Sequence, residues 1–269
     1  MSGFIALRDV SYGSHERQRF DLFIPEDPKN TTGFILFIHG GGWHDGDKSI
    51  HHKDTEYFNK LGYISATMNY RFVSDELSVF DELDDITSAL VQIKKTCGEY
   101  GHNMEDVILS GGSAGGHLSL MYAYTRKDGS PITPVAVCPY CPPVDFSKPD
   151  FLMGLSEEFD DWKYGLISHC CGYTVTKGTF MNEAQQRALK RVSPCAYVSS
   201  ECVPTAVFYG RYDELIPSEH TEEFIGLLKN IGVENEVLCY ENSGHTLDKD
   251  PEVAKQSRCI ISEYAEKYL

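Results

Sequence analysis

The chain has 269 residues, 41% of them apolar, enough to fill one large α/β core or two small ones. With 24 Lys plus Arg against 40 Asp plus Glu, the formal charge is −16, which opposes non-specific binding to nucleic acid and to anionic lipid. No apolar run approaches the roughly eighteen residues of a membrane span, and residues 1–20, MSGFIALRDVSYGSHERQRF, lack the basic region and apolar block of a secretory leader.

In chain order, FIALRDVSYG (4–13) and RQRFDLFIP (17–25) read as strands with no helix between them, an expected antiparallel edge. GFILFIHG (33–40) reads as a buried strand running into His39, Gly40, Gly41, Gly42 and Trp43. Residues 39–54, HGGGWHDGDKSIHHKD, are dense in metal-ligand types: His39, His44, Asp45, Asp47, His51, His52 and Asp54. Their spacing fits neither H-E-x-x-H nor a Cys/His zinc pattern, so a solvated polar loop and no metal site is expected. YISATMNY (63–70) is the next strand, and 81–101 a helix with acids early and lysines late, matching the helix dipole.

DVILSGG (106–112) is a strand and AGGHLSLMYAYTR (114–126) a helix, with Ser113 at the junction. TPVAVCPY (133–140) follows, ending near Cys138 and Cys141; this C-x-x-C closes a strand and meets prolines rather than opening a helix, which argues against redox chemistry. Residues 144–194 break the rhythm with short helix-like pieces and no strand, an expected cap above the sheet edge. PTAVFYG (204–210), a helix over 218–232 opened by Ser218 and closed by Gly232, ENEVLCY (234–240) and a C-terminal helix complete the chain. Alternation of this kind predicts a mostly parallel central sheet flanked by helices, a single domain over 1–269 with a cap insertion. Nine cysteines, an odd number spread through apolar stretches, suit a reducing compartment, and the expected location is cytoplasmic.

Gly111 to Gly115 fit G-x-S-x-G, the strand-to-helix elbow that lifts a serine above a sheet. A phosphate loop or a plain tight turn is the competing reading. The elbow strains the backbone at Ser113, and side chains at Gly111 and Gly115 would collide there. A serine hydroxyl needs a base, and the base needs an orienting acid, both expected on loops after later strands. Asp213, after PTAVFYG, is the candidate acid, with Glu214 as its alternative. His245, in ENSGHTLD after ENEVLCY, is the candidate base. The N–H groups of Gly41, Gly42 and Ala114 are the candidate oxyanion hole, and His39 is expected to buttress that loop. Trp43 and Tyr70 are candidate substrate-binding residues, with Tyr140 and Trp162 as further candidates for the pocket wall.

With HGGG, G-x-S-A-G and the later Asp and His in this order, the chain resembles α/β-hydrolases of the hormone-sensitive-lipase-like esterase group. NYRF at 69–72 is similar to a segment these enzymes carry, and the missing N-terminal cap makes compact acetyl- and feruloyl-esterase-like proteins the nearer likeness. The resemblance implies a serine esterase without cofactor, acting on small-molecule esters of short acids. HGGGW also satisfies the H-G-G-x-W pattern of arylformamidases, so amide hydrolysis stays open. So do a non-catalytic binding module on the same fold and a homodimeric state.

Overall fold

A computed structural model of the chain describes residues 4–26, 33–148, 150–152 and 157–269. One eight-stranded sheet runs through it in the order β1-β2-β4-β3-β5-β6-β7-β8. The strands are β1 (Phe4–Ser11), β2 (Arg19–Pro25), β3 (Phe34–Ile38), β4 (Ile64–Met68), β5 (Asp106–Gly112), β6 (Thr133–Tyr140), β7 (Thr205–Gly210) and β8 (Asn235–Tyr240). β1 pairs antiparallel with β2 and β2 with β4, while every later pair is parallel. The expected antiparallel edge and parallel remainder are both present. β3 and β4 are buried at every position, which is why they read as unbroken apolar runs rather than alternating ones.

The helices are α1 (His52–Lys60), α2 (Val79–Glu99), α3 (Ala114–Thr125), α4 (Asp160–Cys171), α5 (Glu183–Arg191), α6 (Ser218–Ile231) and α7 (Pro251–Tyr268). Phe58 of α1 and Ile260, Ile261 and Tyr264 of α7 cover one face of the sheet with Ile35, Phe37, Ile108 and Phe208. α2, α3 and α6 cover the other, through Leu83, Ile86, Leu90, Leu118, Phe224 and Leu228. Alternate residues of each parallel strand serve the two layers, as the period of two requires.

Two local expectations need correction. The polar stretch 39–54 is not all loop: Lys48–His51 form a 3₁₀ turn and His52 begins α1. Its apolar anchors, Tyr57 and Phe58, lie beyond the histidine-rich part, so composition hid the helix. α6 is capped at Pro217, and Ser218 is its first helical residue. Gly232 does close α6 in the left-handed conformation. The segment between β6 and β7, expected to hold short helical pieces, contains a 3₁₀ turn at Glu157–Phe159, α4 and α5; residues 149 and 153–156 of the expected 144–194 segment lie outside the described residues.

β3 and β5 lie side by side and parallel, so the loops leaving their carboxyl ends meet. A Cβ on Gly115 would fall 2.0 Å from the Ile38 carbonyl oxygen, and one on Gly111 would fall 2.3 Å from it. Both obstacles are backbone, with no side-chain rotation to relieve them. Gly111 and Gly115 also face each other, at 2.8 Å from a Gly111 Cβ to the Gly115 carbonyl carbon, but the neighbouring strand is the harder wall. Gly115→Ala should therefore lower stability by about 2 kcal/mol or more, measured by urea unfolding. An unchanged midpoint would show that the two loops are free to part.

Candidate active site

Ser113 sits at φ 52°, ψ −120°, between β5 and α3. This is a strained conformation for a residue with a Cβ, held by the bond from Ser113 N–H to the Tyr140 carbonyl at 2.8 Å and by His117 N–H donating to the Ser113 carbonyl at 2.9 Å. The turn lifts Oγ off the sheet, and α3 begins at once, so its N-terminus and the Ala114 N–H face the same space. Ser110, the other hydroxyl nearby, is buried and donates to the Cys138 carbonyl at 2.7 Å.

The loops after β7 and β8 bring their candidates to this serine. His245 Nε2 lies 2.9 Å from Ser113 Oγ, and His245 Nδ1 lies 2.8 Å from Asp213 Oδ2. Asp213 works with both oxygens: Oδ1 accepts from the Leu215 and Ile216 N–H groups at 3.0 and 2.8 Å. One carboxylate thus holds both the turn that follows it and the imidazole. Glu214 does not reach the ring; its Oε2 accepts from the His245 backbone N–H at 3.4 Å. A Cβ on Gly244 would lie 2.5 Å from Glu214 Oε2, the movable end of a side chain, and 3.1 Å from the Tyr212 carbonyl oxygen.

Cys141, at φ 43°, packs beneath this group. Its Sγ lies within 4.8 Å of an Asp213 oxygen and a His245 ring nitrogen. Burial, reinforced by the Asp213 charge, pushes its thiol well above the ordinary range, so it stays protonated beside the carboxylate. Among the described residues no other group of three or more His, Cys, Asp or Glu side chains has ligand atoms so close together. The acids and histidines of 39–54 have separate partners: His51 pairs with Asp54, His52 with Asp21, and Asp47 caps the 3₁₀ turn.

The loop after β3 supplies the opposite wall. Gly41 (φ 117°) and Gly42 (φ 59°) are left-handed, and their N–H groups have no acceptor among the described residues. A cavity of about 260 Å³ is enclosed by this loop, Ser113 and His245, with Pro143, Leu152, Leu166, Leu215 and Ile216 forming apolar walls. Trp43 and Trp162 both line it, the second at a half-exposed mouth where it meets His44 edge-on at 5.5 Å.

Two of the aromatic candidates lie elsewhere. Tyr70 is fully buried behind the glycine loop, donating its hydroxyl to the His39 carbonyl at 2.9 Å and stacking on the His39 ring at 4.3 Å. It supports the loop and does not touch the pocket. Tyr140 is turned to the other face of the sheet, where its hydroxyl donates to Ser257 on α7 at 3.0 Å. Both follow or end a strand, and a one-residue step along a strand exchanges faces.

His117 was not singled out for any role in the site, yet it sets a pocket wall. Trp43 Nε1–H donates to His117 Nδ1 at 3.1 Å, and His117 Nε2–H donates to the Val192 carbonyl at 2.7 Å. The indole is donor-only, so the tautomer of His117 follows. Residue spacing along α3 gives no hint of this, because the partners lie 74 and 75 residues away.

Burial lowers the pKa of His39 and of His117 from the usual 6.5 to about 4. Both are therefore neutral in the native protein where the unfolded chain takes up protons. Their contribution to stability is fully present above about pH 6.5 and is lost as the pH falls towards 4. His117→Gln should cost about 1–3 kcal/mol near neutral pH and should flatten the fall in urea midpoint between about pH 7 and pH 4.5. A variant with the wild-type slope would remove His117 from this account.

The BD-FAE family model matches residues 20–228. A probable isoprenylcysteine alpha-carbonyl methylesterase of Oryza sativa subsp. japonica is 27% identical over 253 residues, covering 89% of this chain and 58% of that protein. The probable carboxylic ester hydrolase LipM of Mycobacterium tuberculosis is 28% identical over 235 residues, covering 83% of this chain and 52% of that protein. The chain thus spans little more than half the length of these curated relatives. Esterase B of Lactobacillus rhamnosis superimposes with a TM-score of 0.75 at 17% identity, covering 98% of this chain and 86% of that one. A propionate-bound esterase of Thermogutta terrifontis does so with 0.71 at 22%, covering 97% and 93%. These likenesses show the α/β-hydrolase fold. The family match begins in β2, takes in the glycine loop, the Ser113 turn and Asp213, and ends in α6: the chain belongs to the BD-FAE family.

Proposed function

We propose that the chain is a serine hydrolase of carboxylic esters with small acyl groups, working through Ser113, His245 and Asp213. The observation that carries this reading is the hydrogen-bond path from Ser113 through His245 to Asp213, in a small apolar pocket also lined by Gly41 and Gly42, whose N–H groups have no acceptor among the described residues. Relatives named as a methylesterase and as a carboxylic ester hydrolase support the ester as the bond.

His245 carries its proton on Nδ1, bonded to Asp213, and presents a bare Nε2 to the serine hydroxyl. Nε2 takes that proton as Oγ attacks the acyl carbon. Asp213, its side chain 2% exposed, stabilises the imidazolium that forms. The N–H groups of Gly41, Gly42 and Ala114, with the N-terminus of α3, meet the oxyanion. Collapse returns the proton to the departing alcohol and leaves an acyl-Ser113. Water, deprotonated by the same ring, then attacks the acyl carbon and releases the acid. No step calls on a metal or an organic cofactor.

A cavity of about 260 Å³ walled by Pro143, Leu166, Leu215 and Ile216 suits an acyl chain of a few carbons. Trp43 in that wall is what an arylformamidase reading rests on, with the same three side chains cleaving an N-formyl amide. A panel of p-nitrophenyl esters of graded length, run beside N-formylkynurenine, tests both. Acetate to butyrate esters should exceed the decanoate by about tenfold or more in kcat/KM. Ser113→Ala should lower kcat by about 10⁴-fold or more, with an unchanged unfolding curve. Faster turnover of N-formylkynurenine than of any ester would transfer the reading to amides. Failure of a fluorophosphonate to label Ser113 would end it.

A further inference from the structure

Behind the glycine loop lies a charged side chain that the reaction does not touch. Arg17, in the turn between β1 and β2, extends under the loop with its guanidinium half-buried over the Phe72 ring at 3.6 Å. Its Nε–H donates to the Tyr70 carbonyl at 2.8 Å, and its Nη2 donates to the Gly46 carbonyl at 3.0 Å. The same Nη2 lies 3.2 Å from His39 Nε2. On its other side, His39 Nδ1 lies 2.6 Å from the Gly40 carbonyl oxygen.

A guanidinium has donors only, so His39 Nε2 must accept and the ring's proton must sit on Nδ1. That Nδ1–H then donates to the Gly40 carbonyl. The Gly40 carbonyl and the Gly41 N–H belong to one peptide plane and point in opposite directions across it. Holding the carbonyl toward His39 therefore holds the Gly41 N–H toward Ser113. The alternative tautomer would set two donors against each other at Nε2 and two acceptors at Nδ1. We propose that Arg17 is a positioning residue for the oxyanion hole: it selects the His39 tautomer that orients the Gly40–Gly41 peptide.

The surroundings leave that peptide little other support. A Cβ on Gly46 would lie 2.3 Å from the Gly40 oxygen and 2.7 Å from His39 Nδ1, so His39 and the Gly46 backbone crowd the carbonyl from behind. Tyr70, stacked on the ring, fixes its plane but not its proton. Burial and the Arg17 charge both disfavour a second proton on His39, which keeps Nε2 free to accept.

This inference rests on the ester-hydrolase reading for its kinetic effect, and on geometry alone for the tautomer. Arg17→Met, with nitrogen NMR of the imidazoles and steady-state kinetics on p-nitrophenyl acetate, tests the two separately. The wild type should show His39 protonated at Nδ1 only. In Arg17→Met that signature should be lost, with kcat lowered about ten- to a hundredfold and KM within about twofold. Added guanidinium should restore part of kcat. Should Arg17→Met fail to fold, Arg17→Lys is read the same way, because an ammonium donates from one point and cannot hold Tyr70, Gly46 and His39 together. A folded variant with wild-type kcat, or one that loses kcat while His39 keeps its Nδ1 proton, overturns the proposal. A wild type that shows the tautomer but no ester turnover overturns the functional reading and leaves the positioning intact.

Discussion

At the carboxyl ends of β3 and β5 two backbones run so close that a Cβ on Gly115 would stand 2.0 Å from the Ile38 oxygen and one on Gly40 2.7 Å from the Gly112 oxygen. Parallel pairing of adjacent strands produces this approach, and only glycine survives it. The consequence is that the loop leaving β3 is pressed against the turn leaving β5. Gly41 and Gly42, whose N–H groups have no acceptor among the described residues, then line one cavity with Ser113. The strain at Ser113, the helix that begins at Ala114 and the placement of Gly41 and Gly42 all descend from that contact.

The remaining side chains have farther to come. β8 is three strands from β5, about 14 Å at the usual inter-strand spacing. His245 must lean back across β7 and β6 to meet Ser113, and it can do so only because the intervening corners are tight. A Cβ on Gly210 would lie 2.3 Å from the Gly244 oxygen, so the loops after β7 and β8 are in backbone contact. Asp213 ties them together, one oxygen on the turn that leads to α6 and the other on the imidazole. Stability and orientation thus share one carboxylate.

The cap completes the pocket rather than covering the sheet. Leu166 of α4 and Leu152, whose N–H donates to the Leu215 carbonyl at 3.1 Å, close the apolar side. Through His117, the Trp43 wall is bonded to Val192 at the end of α5. The glycine loop, the first turns of α3 and the cap are therefore linked by polar bonds inside an otherwise apolar region, where an unpaired group would cost more than it would at the surface.

Much of this was written in local residue order. Unbroken apolar runs identified the parallel strands, because strands buried on both faces have no polar side to show. The glycines around Ser113 announced a crowded turn, and the sequence placed Asp213 and His245 just after the runs that form β7 and β8. What it left open was every relation between distant segments. Tyr70 and Tyr140 were as plausible in the pocket as Trp43 and Trp162, since a strand's last residue can face either way. Arg17 and His117 gave no signal, because their roles depend on partners 22 to 75 residues away. The sequence by itself determined which stretches become strands and where the chain must turn, because hydrophobic period and glycine strain are local. Only the tertiary structure decided which loops meet, which carboxylate oxygen finds the ring and which imidazole nitrogen holds the proton, because those follow from strand order and from contacts that no short window contains.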